Sequence, residues 1–370
     1  MNLGVKYAGL ELKNPLLLAA GPLSRSSDTM IRALDAGFGA VVTETIVNEI
    51  RPNVKPRLVR RANGMQNIGL YSEFSLEEWE VEIDKVKEYG GTVIANILAH
   101  TPSELAYVAR MVEKFGADAI ELGVSSPHGE GLEVLTSDSE KVFRFTGAVV
   151  EAVNIPVTVK MSPNVTNMAK VANAAERAGA MGISAIDTVR SIIGVDIDNQ
   201  KALLPTFGGY SGSPIRPIGL AAVATIAQAV KTDVSGIGGV EDYKSVLEYI
   251  MLGASSVQML THIILNGWET AASILEGLQR WMEKSGVENM DELKGTALSS
   301  LHSFEEIQME SCTSMVVSEC RSPDCERCIT GCMYDAISCT AGVYSVDKSE
   351  CTGCGLCVSN CPDKCFKLEW

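Results

Sequence analysis

The 370-residue sequence predicts an α/β chain: a (β/α)8 TIM barrel followed by a small, cysteine-rich α+β domain. Three observations predict it. Short apolar runs alternate with longer amphipathic stretches over the first 285 residues. Most of those runs lack polar alternation, as strands covered on both faces of a parallel sheet do. All eleven cysteines fall between Cys312 and Cys365.

The strand candidates are "LLLAAG" (16–21), "AVVTET" (40–45), "TVIANIL" (92–98), "AIELGV" (119–124), "VTVKM" (157–161), "GISAIDT" (182–188), "VSGIGG" (234–239) and "SVQML" (256–260). Helical patterns lie between them, for example at 103–115, 138–153, 166–178, 217–230 and 242–252. Eight such units suit a closed barrel, with a doubly wound open sheet as the alternative. The expected domains are a barrel over 1–285, a polar connecting segment over 286–311 and the cysteine-rich domain over 312–370.

In a barrel, chemistry sits where strands end and the following loops begin. Those junctions are polar or glycine-rich here: "AAGPLS", "TET", "GVSSPHGEG", "VKMSPN", "IDT" and "GIGG". Gly238 and Gly239 follow the seventh strand, and Thr261 follows the eighth. Backbone N–H groups exposed at that corner form the usual phosphate site of barrels, so a phosphorylated ligand is expected.

Composition narrows the function classes. Hydrophobic residues make up 46%, enough for a sizeable core. The net charge of -15 argues against nucleic acid, whose affinity comes mainly from Lys and Arg on phosphates. No apolar run reaches the ~18 residues of a membrane span, so no membrane association is expected. The N-terminus lacks a basic region followed by an apolar one, and the expected location is cytoplasmic.

In a cytoplasmic chain, dense cysteines suggest metal rather than disulfides. "CTGCGLCVSNCP" supplies Cys351, Cys354, Cys357 and Cys361 at the spacing of a bacterial ferredoxin run. Cys320, Cys325, Cys328 and Cys332 form a second run with a longer first gap. In two-cluster ferredoxins the fourth cysteine of each run serves the other cluster. The expected ligands are therefore Cys320, Cys325, Cys328 and Cys361 for one [4Fe-4S] cluster. Cys351, Cys354, Cys357 and Cys332 would hold the second. Zinc ribbons use paired C-x2-C and fit poorly. Cys312, Cys339 and Cys365 are left over. Cluster ligation would supply much of the stability of so small a domain.

Together, "NPLLLAAGP" (14–22), "VKPRLVR" (54–60), "VSSPHGEG" (124–131), "VKMSPNVTN" (159–167), "GGYSGSPIRPIGL" (208–220), "GIGG" (236–239) and "GASSVQ" (253–258) carry a resemblance. The chain resembles the dihydroorotate dehydrogenase superfamily, most nearly the flavin barrel and ferredoxin-like domain of dihydropyrimidine dehydrogenase. The resemblance implies FMN in the barrel. It puts Ala20 and Gly21 near the isoalloxazine ring, Thr43 and Lys160 at ring or ribityl atoms, and Thr188, Gly212, Gly238, Gly239 and Thr261 along the tail to the phosphate. A lysine beside the ring would stabilise its electron-rich reduced form. The acid/base position is Ser126, with His128 two residues on and Ser125 and Asn67 toward the substrate. The implied reaction works on a C=C or CH–CH bond of a small, nitrogen-containing ring.

Three departures accompany these matches. The family lysine after the second strand is Glu44, and a carboxylate there would lower the reduction potential of an anionic reduced ring. Pyrimidine-gripping positions are altered at Gly69, Gly123 and Asp187, which points away from uracil, thymine or orotate. The acid/base is serine rather than cysteine. No G-x-G-x-x-G follows an early strand, so electrons from a nicotinamide would need a partner flavoprotein subunit, or a ferredoxin would donate them, in a homo- or hetero-oligomer. The other readings are an electron-transfer subunit, or a binding protein whose flavin barrel is non-catalytic or altered.

Overall fold

Eight parallel strands close on one another in the first part of the chain. They are β1 Leu16–Leu18, β2 Ala40–Val42, β3 Val93–Ile97, β4 Ala119–Leu122, β5 Val157–Met161, β6 Gly182–Ala185, β7 Asp233–Ile237 and β8 Ser256–Met259. The computed structural model describes residues 1–123, 137–307, 310–322 and 325–370. Every strand pairs with its chain neighbours, and β8 pairs with β1 to close the ring. Their residues are buried almost throughout, which explains the continuous apolar runs. The open-sheet alternative is thereby excluded.

Each strand stops sooner than the apolar pattern, or where the chain turns polar. The Gly-, Thr- and Asp-bearing residues that follow leave the ladder and rim the C-terminal mouth. The outer helices begin on side-chain caps. Ser75 and Asp242 form capping boxes with Glu78 and Ser245, Thr101 precedes Pro102, and Asn167 accepts from the Lys170 N–H. On Pro102–Lys114 the buried residues Leu105, Val108, Ala109 and Val112 keep helical spacing and face the barrel.

Three further pieces among the described residues have no counterpart in the sequence reading, the smallest being the pair Val195–Asp196 with Lys201–Ala202. The hairpin Val5–Tyr7 with Leu10–Leu12 lies under the strand starts, where the Ala8 N–H donates to Asp233 Oδ2 at 3.0 Å. A four-stranded antiparallel sheet orders Val189–Ser191, Gly208–Gly212, Gly64–Asn67 and Leu58–Arg61. Its central pair joins segments far apart in sequence, so no local pattern announces it.

The chain divides into two compact units, Met1–Ser300 and Leu301–Trp370. The division falls inside the segment expected as a connector. Residues 286–300 pack on the barrel unit: Met290 and Leu293 are buried, and the Gly295 and Ala297 N–H groups donate to Ile250 and Met251 carbonyls. The second unit has two antiparallel pairs, Thr313–Val316 with Phe366–Glu369 and Ile337–Thr340 with Val343–Val346. Two short helices, Arg327–Thr330 and Leu356–Asn360, accompany them. Among the described residues its buried apolar cluster is Cys328, Ile337, Tyr344, Cys365 and Phe366.

Candidate functional site

All eight strands send residues to one cavity at the C-terminal mouth of the barrel. Ala20 and Gly21 follow β1, Glu44 follows β2, Asn96 lies on β3, Gly123 follows β4 and Lys160 lies on β5. Asp187 and Thr188 follow β6, Gly238 and Gly239 follow β7, and Gln258 and Thr261 come from β8 and its end. The antiparallel sheet adds Asn67 and Gly212 as a side wall. The cavity holds about 1310 Å³ of empty space, its open mouth included.

Its floor is built on a buried carboxylate. Glu121 on β4 is 1% exposed. Its Oε1 accepts from Asn96 Nδ2 at 2.8 Å, and its Oε2 accepts from Gln258 Nε2 at 2.9 Å and Ser184 Oγ at 2.5 Å. Lys160 Nζ lies 4.0 Å from Oε1. A carboxylate can only accept, so both amides must turn their NH2 groups to it. That leaves Asn96 Oδ1 and Gln258 Oε1 buried without a partner among the described residues. Unpaired buried acceptors cost free energy, and both residues border the cavity. A flat ring bearing N–H donors, such as an isoalloxazine, fits that floor. Glu121, Asn96 and Gln258 were absent from the sequence reading. The signal was there: a Glu inside "AIELGV" and a Gln inside "SVQML" are polar residues at mid-strand positions in otherwise apolar runs.

The opposite requirement governs the glycine corner. Gly238 and Gly239 adopt φ of 119° and 67°. A Cβ on Gly239 would come within 2.7 Å of Arg216 Cβ and 2.9 Å of Arg216 N. A Cβ on Gly212 would meet the Asn63 carbonyl at 2.4 Å. Arg216 itself is held by Glu241 at 2.7 Å and Glu248 at 3.4 Å. Thr261 Oγ1 donates to Ser211 Oγ at 2.8 Å nearby. Only glycine allows this close approach of backbone, and such a bare-backbone cradle suits a phosphate.

Several expected site residues therefore border one cavity: Ala20, Gly21, Asn67, Lys160, Asp187, Thr188, Gly212, Gly238, Gly239 and Thr261. Thr43 does not border it. Its side chain is fully buried, and its Oγ1 accepts the Asn96 N–H at 3.0 Å, fastening β2 to β3. Ser125, Ser126 and His128 lie outside the described residues.

Among the departures, Glu44 sits on the cavity wall, and burial pushes its pKa up to about 7. Arg57 and Arg25 pull it down by less than burial lifts it, and Glu73 adds to the rise. Asp187 Oδ1 accepts from the Thr188 N–H at 2.7 Å, and Asn67 Oδ1 from the Gly69 N–H at 2.7 Å. A Cβ on Gly123 would lie 2.8 Å from Asn96 Oδ1, so the glycine makes room for the floor amide as well as for ligand.

The second unit contains two cysteine-lined cavities. One is bordered by Cys320, Cys325, Cys328 and Cys361, with Tyr344, Pro362 and Phe366. The other is bordered by Cys332, Cys351, Cys354 and Cys357, with Ser314, Ala336 and Ile337. Each thus draws three cysteines from one run and the fourth from the other. None of the eleven cysteines is in a disulfide. Four thiolate donors around a hollow with apolar walls fit a [4Fe-4S] cube. Of the remaining cysteines, Cys312 Sγ donates to the Gly353 carbonyl at 3.6 Å, Cys339 is exposed, and the buried Cys365 donates its N–H to Cys361 Sγ at 3.3 Å.

Among the described residues, no helix is long and apolar enough to cross a membrane. Residues 2–282 match the family described as Dihydroorotate dehydrogenase, and residues 344–367 match the 4Fe-4S binding domain. The chain is 35% identical to a dihydroorotate dehydrogenase B (NAD(+)) catalytic subunit of Thermococcus kodakarensis, over 80% of this chain and 98% of that one. It is 31% identical to the NAD-dependent dihydropyrimidine dehydrogenase subunit PreA of Escherichia coli, over 99% of this chain and 95% of that one. The latter alignment extends through the cysteine-rich unit, whereas the former spans only about four-fifths of the chain. Dihydroorotate dehydrogenase of Eimeria tenella, solved with ferulenol, superposes at a TM-score of 0.71 with 21% identity, covering 80% of this chain and 88% of that one.

Proposed function

The chain belongs to the dihydroorotate dehydrogenase family, and on that premise we propose an iron-sulfur flavoprotein oxidoreductase acting on a C=C or CH–CH bond of a small, nitrogen-containing ring. The observation that carries the proposal is the juxtaposition in one chain of an eight-strand cavity with a lysine and a glycine cradle, and a tail with two four-cysteine hollows. FMN, when bound, supplies the exchange between single electrons and a hydride, and [4Fe-4S] centres in the tail are its one-electron partners.

The side chains of this chain then have distinct tasks. Lys160 holds a fixed positive charge at the cavity floor, and Glu121 keeps that charge and two amides in place. Gly212, Gly238 and Gly239 leave space for the phosphate. Ser126, with His128 as relay, would deliver a proton to the substrate carbon next to the one that takes the hydride, from the face away from the ring. Asn67, Ser125 and Asp187 would orient the substrate. The eight cysteines at 320, 325, 328, 332, 351, 354, 357 and 361 would hold two clusters.

Two relatives carry "subunit" in their names, which supports an NAD(P)H-dependent flavoprotein partner as the electron source, with a free ferredoxin as the other donor. Glu44 favours one second reading, a barrel whose flavin is retuned and which serves electron transfer without turnover at the ring. Anaerobic purification with flavin and iron counted per chain, followed by turnover on cyclic C=C acceptors, tests both. Flavin-loaded protein that reduces such an acceptor, and loses that turnover as Ser126→Ala while keeping flavin, is the expected result. An empty barrel ends the proposal; a loaded but unreactive one favours the second reading.

A further inference from the structure

We infer that Ser314 and Asp363 hold the two iron-sulfur centres of the tail at different potentials. The centre of Cys332, Cys351, Cys354 and Cys357 is the more oxidising, and a single electron in the tail rests there. The inference depends on the two-centre reading above.

Reducing a cluster adds negative charge that spreads onto its ligand sulfurs. A donor to those sulfurs stabilises the reduced form, and a neighbouring anion destabilises it. Ser314 is 2% exposed and faces two ligands of one centre at once. Its N–H donates to Cys351 Sγ at 3.2 Å, and its Oγ lies 3.1 Å from Cys357 Sγ. A metal-bound thiolate carries no proton, so there the hydroxyl donates. The strand explains the placement: Ser314 pairs with Leu368 in the ladder, which fixes its backbone against the hollow.

The other centre has a different surrounding. Asp363 Oδ2 lies 3.7 Å from Cys320 Sγ and is held there by the Arg321 N–H at 2.8 Å. With Cys320 ionised on iron, these are two anions in contact. This centre has donors too: Cys361 receives the Cys365 N–H at 3.3 Å and faces the Cys365 thiol, and backbone N–H groups at Cys328 and Ile329 face the Cys328 sulfur, so the carboxylate against Cys320 is what sets it apart. The Tyr344 hydroxyl also reaches Cys320 and offsets part of the repulsion. Among the described residues, no carboxylate makes a comparable contact with a sulfur of the Ser314 centre.

The test is a redox titration of the anaerobically purified full chain, followed by electron paramagnetic resonance, with iron counted independently. The wild type is expected to reduce in two separate steps. Ser314→Ala is expected to lower the higher step by about tenfold in its one-electron equilibrium, ~59 mV, and leave the lower step in place. Asp363→Asn is expected to raise the lower step alone. Ser314→Thr keeps the hydroxyl and is expected to stay near wild type. Coincident steps in the wild type overturn the inference, as does a Ser314→Ala shift confined to the lower step or absent. If Ser314→Ala loses iron, Asp363→Asn decides: no rise in the lower step overturns the inference. A chain with four irons instead of eight overturns the two-centre reading itself, and the iron assay separates that outcome from a failed ordering.

Discussion

Lys160 Nζ stands 4.0 Å from Glu121 Oε1 with both side chains almost wholly buried, one on β5 and the other on β4. At that distance the two charges attract without sharing a hydrogen bond, and the carboxylate spends its lone pairs on Asn96, Ser184 and Gln258 instead. Glu121 is thus the hub of the floor, and Lys160 is free to present its ammonium to the cavity.

Removing one partner of a buried pair leaves the other charge uncompensated. Lys160→Met is expected to cost about 3 kcal/mol of stability, the low end of such losses because the lysine borders the cavity. Chemical denaturation of the variant against wild type measures this, and flavin per chain is expected to fall with it. An unchanged midpoint and unchanged flavin would mean the pair contributes nothing.

Glu121→Gln is a different experiment. A glutamine at 121 would offer one acceptor oxygen and one NH2, so it cannot accept from both amides. One of Asn96 and Gln258 is expected to flip and present its NH2 to the cavity. FMN affinity, read by fluorescence quenching on reconstitution, is expected to drop by about tenfold or more, the equivalent of one lost hydrogen bond.

Glu44 carries a pH dependence. Its carboxyl is raised from about 4.5 to about 7 in the fold, so the native state keeps a proton that the unfolded chain gives up. The native state is therefore relatively favoured at low pH, and that advantage is lost as pH rises from about 4.5 through about 7. Glu44→Gln should be more stable than wild type by about 3 kcal/mol at pH 8, and the gap should close as pH falls toward 5. Urea unfolding of both proteins across that range measures it. A constant gap would mean that Glu44 is already ionised throughout.

Gly239→Ala tests the cradle. The added Cβ meets Arg216 backbone and side chain, and the residue sits at φ of 67°, where alanine is strained. About 1–3 kcal/mol of destabilisation is expected, along with loss of bound FMN, while Gly90→Ala, whose Cβ meets nothing, costs only the φ penalty. Equal flavin retention in the two variants would remove Gly239 from the phosphate site.

The barrel was legible because buried parallel strands must be apolar on both faces, and eight such runs recur between helix-patterned stretches. The glycine corner was legible for the same kind of reason, since only glycine tolerates those dihedrals and approaches. The side wall was not. Gly64–Asn67 finds its partner at Gly209–Gly212, and a pairing across that separation leaves no trace in any short window. Thr43 was placed at the ring or ribityl atoms by the resemblance alone; no sequence pattern shows that its hydroxyl takes part in a strand-to-strand bond. Glu121 was overlooked because one carboxylate in an apolar run reads as an interruption until its partners are assembled from four other strands.

Cys332 and Cys361 each sit with the other run's triplet, so the tail is laced like a boot, with each half tied off in its neighbour's eyelet. Assembly is accordingly expected to be all-or-none. Oxidative loss of either cube would free an end of both loops at once, and intermediates with half the metal should be short-lived and open to proteases. Such a tail reports damage abruptly rather than by degrees.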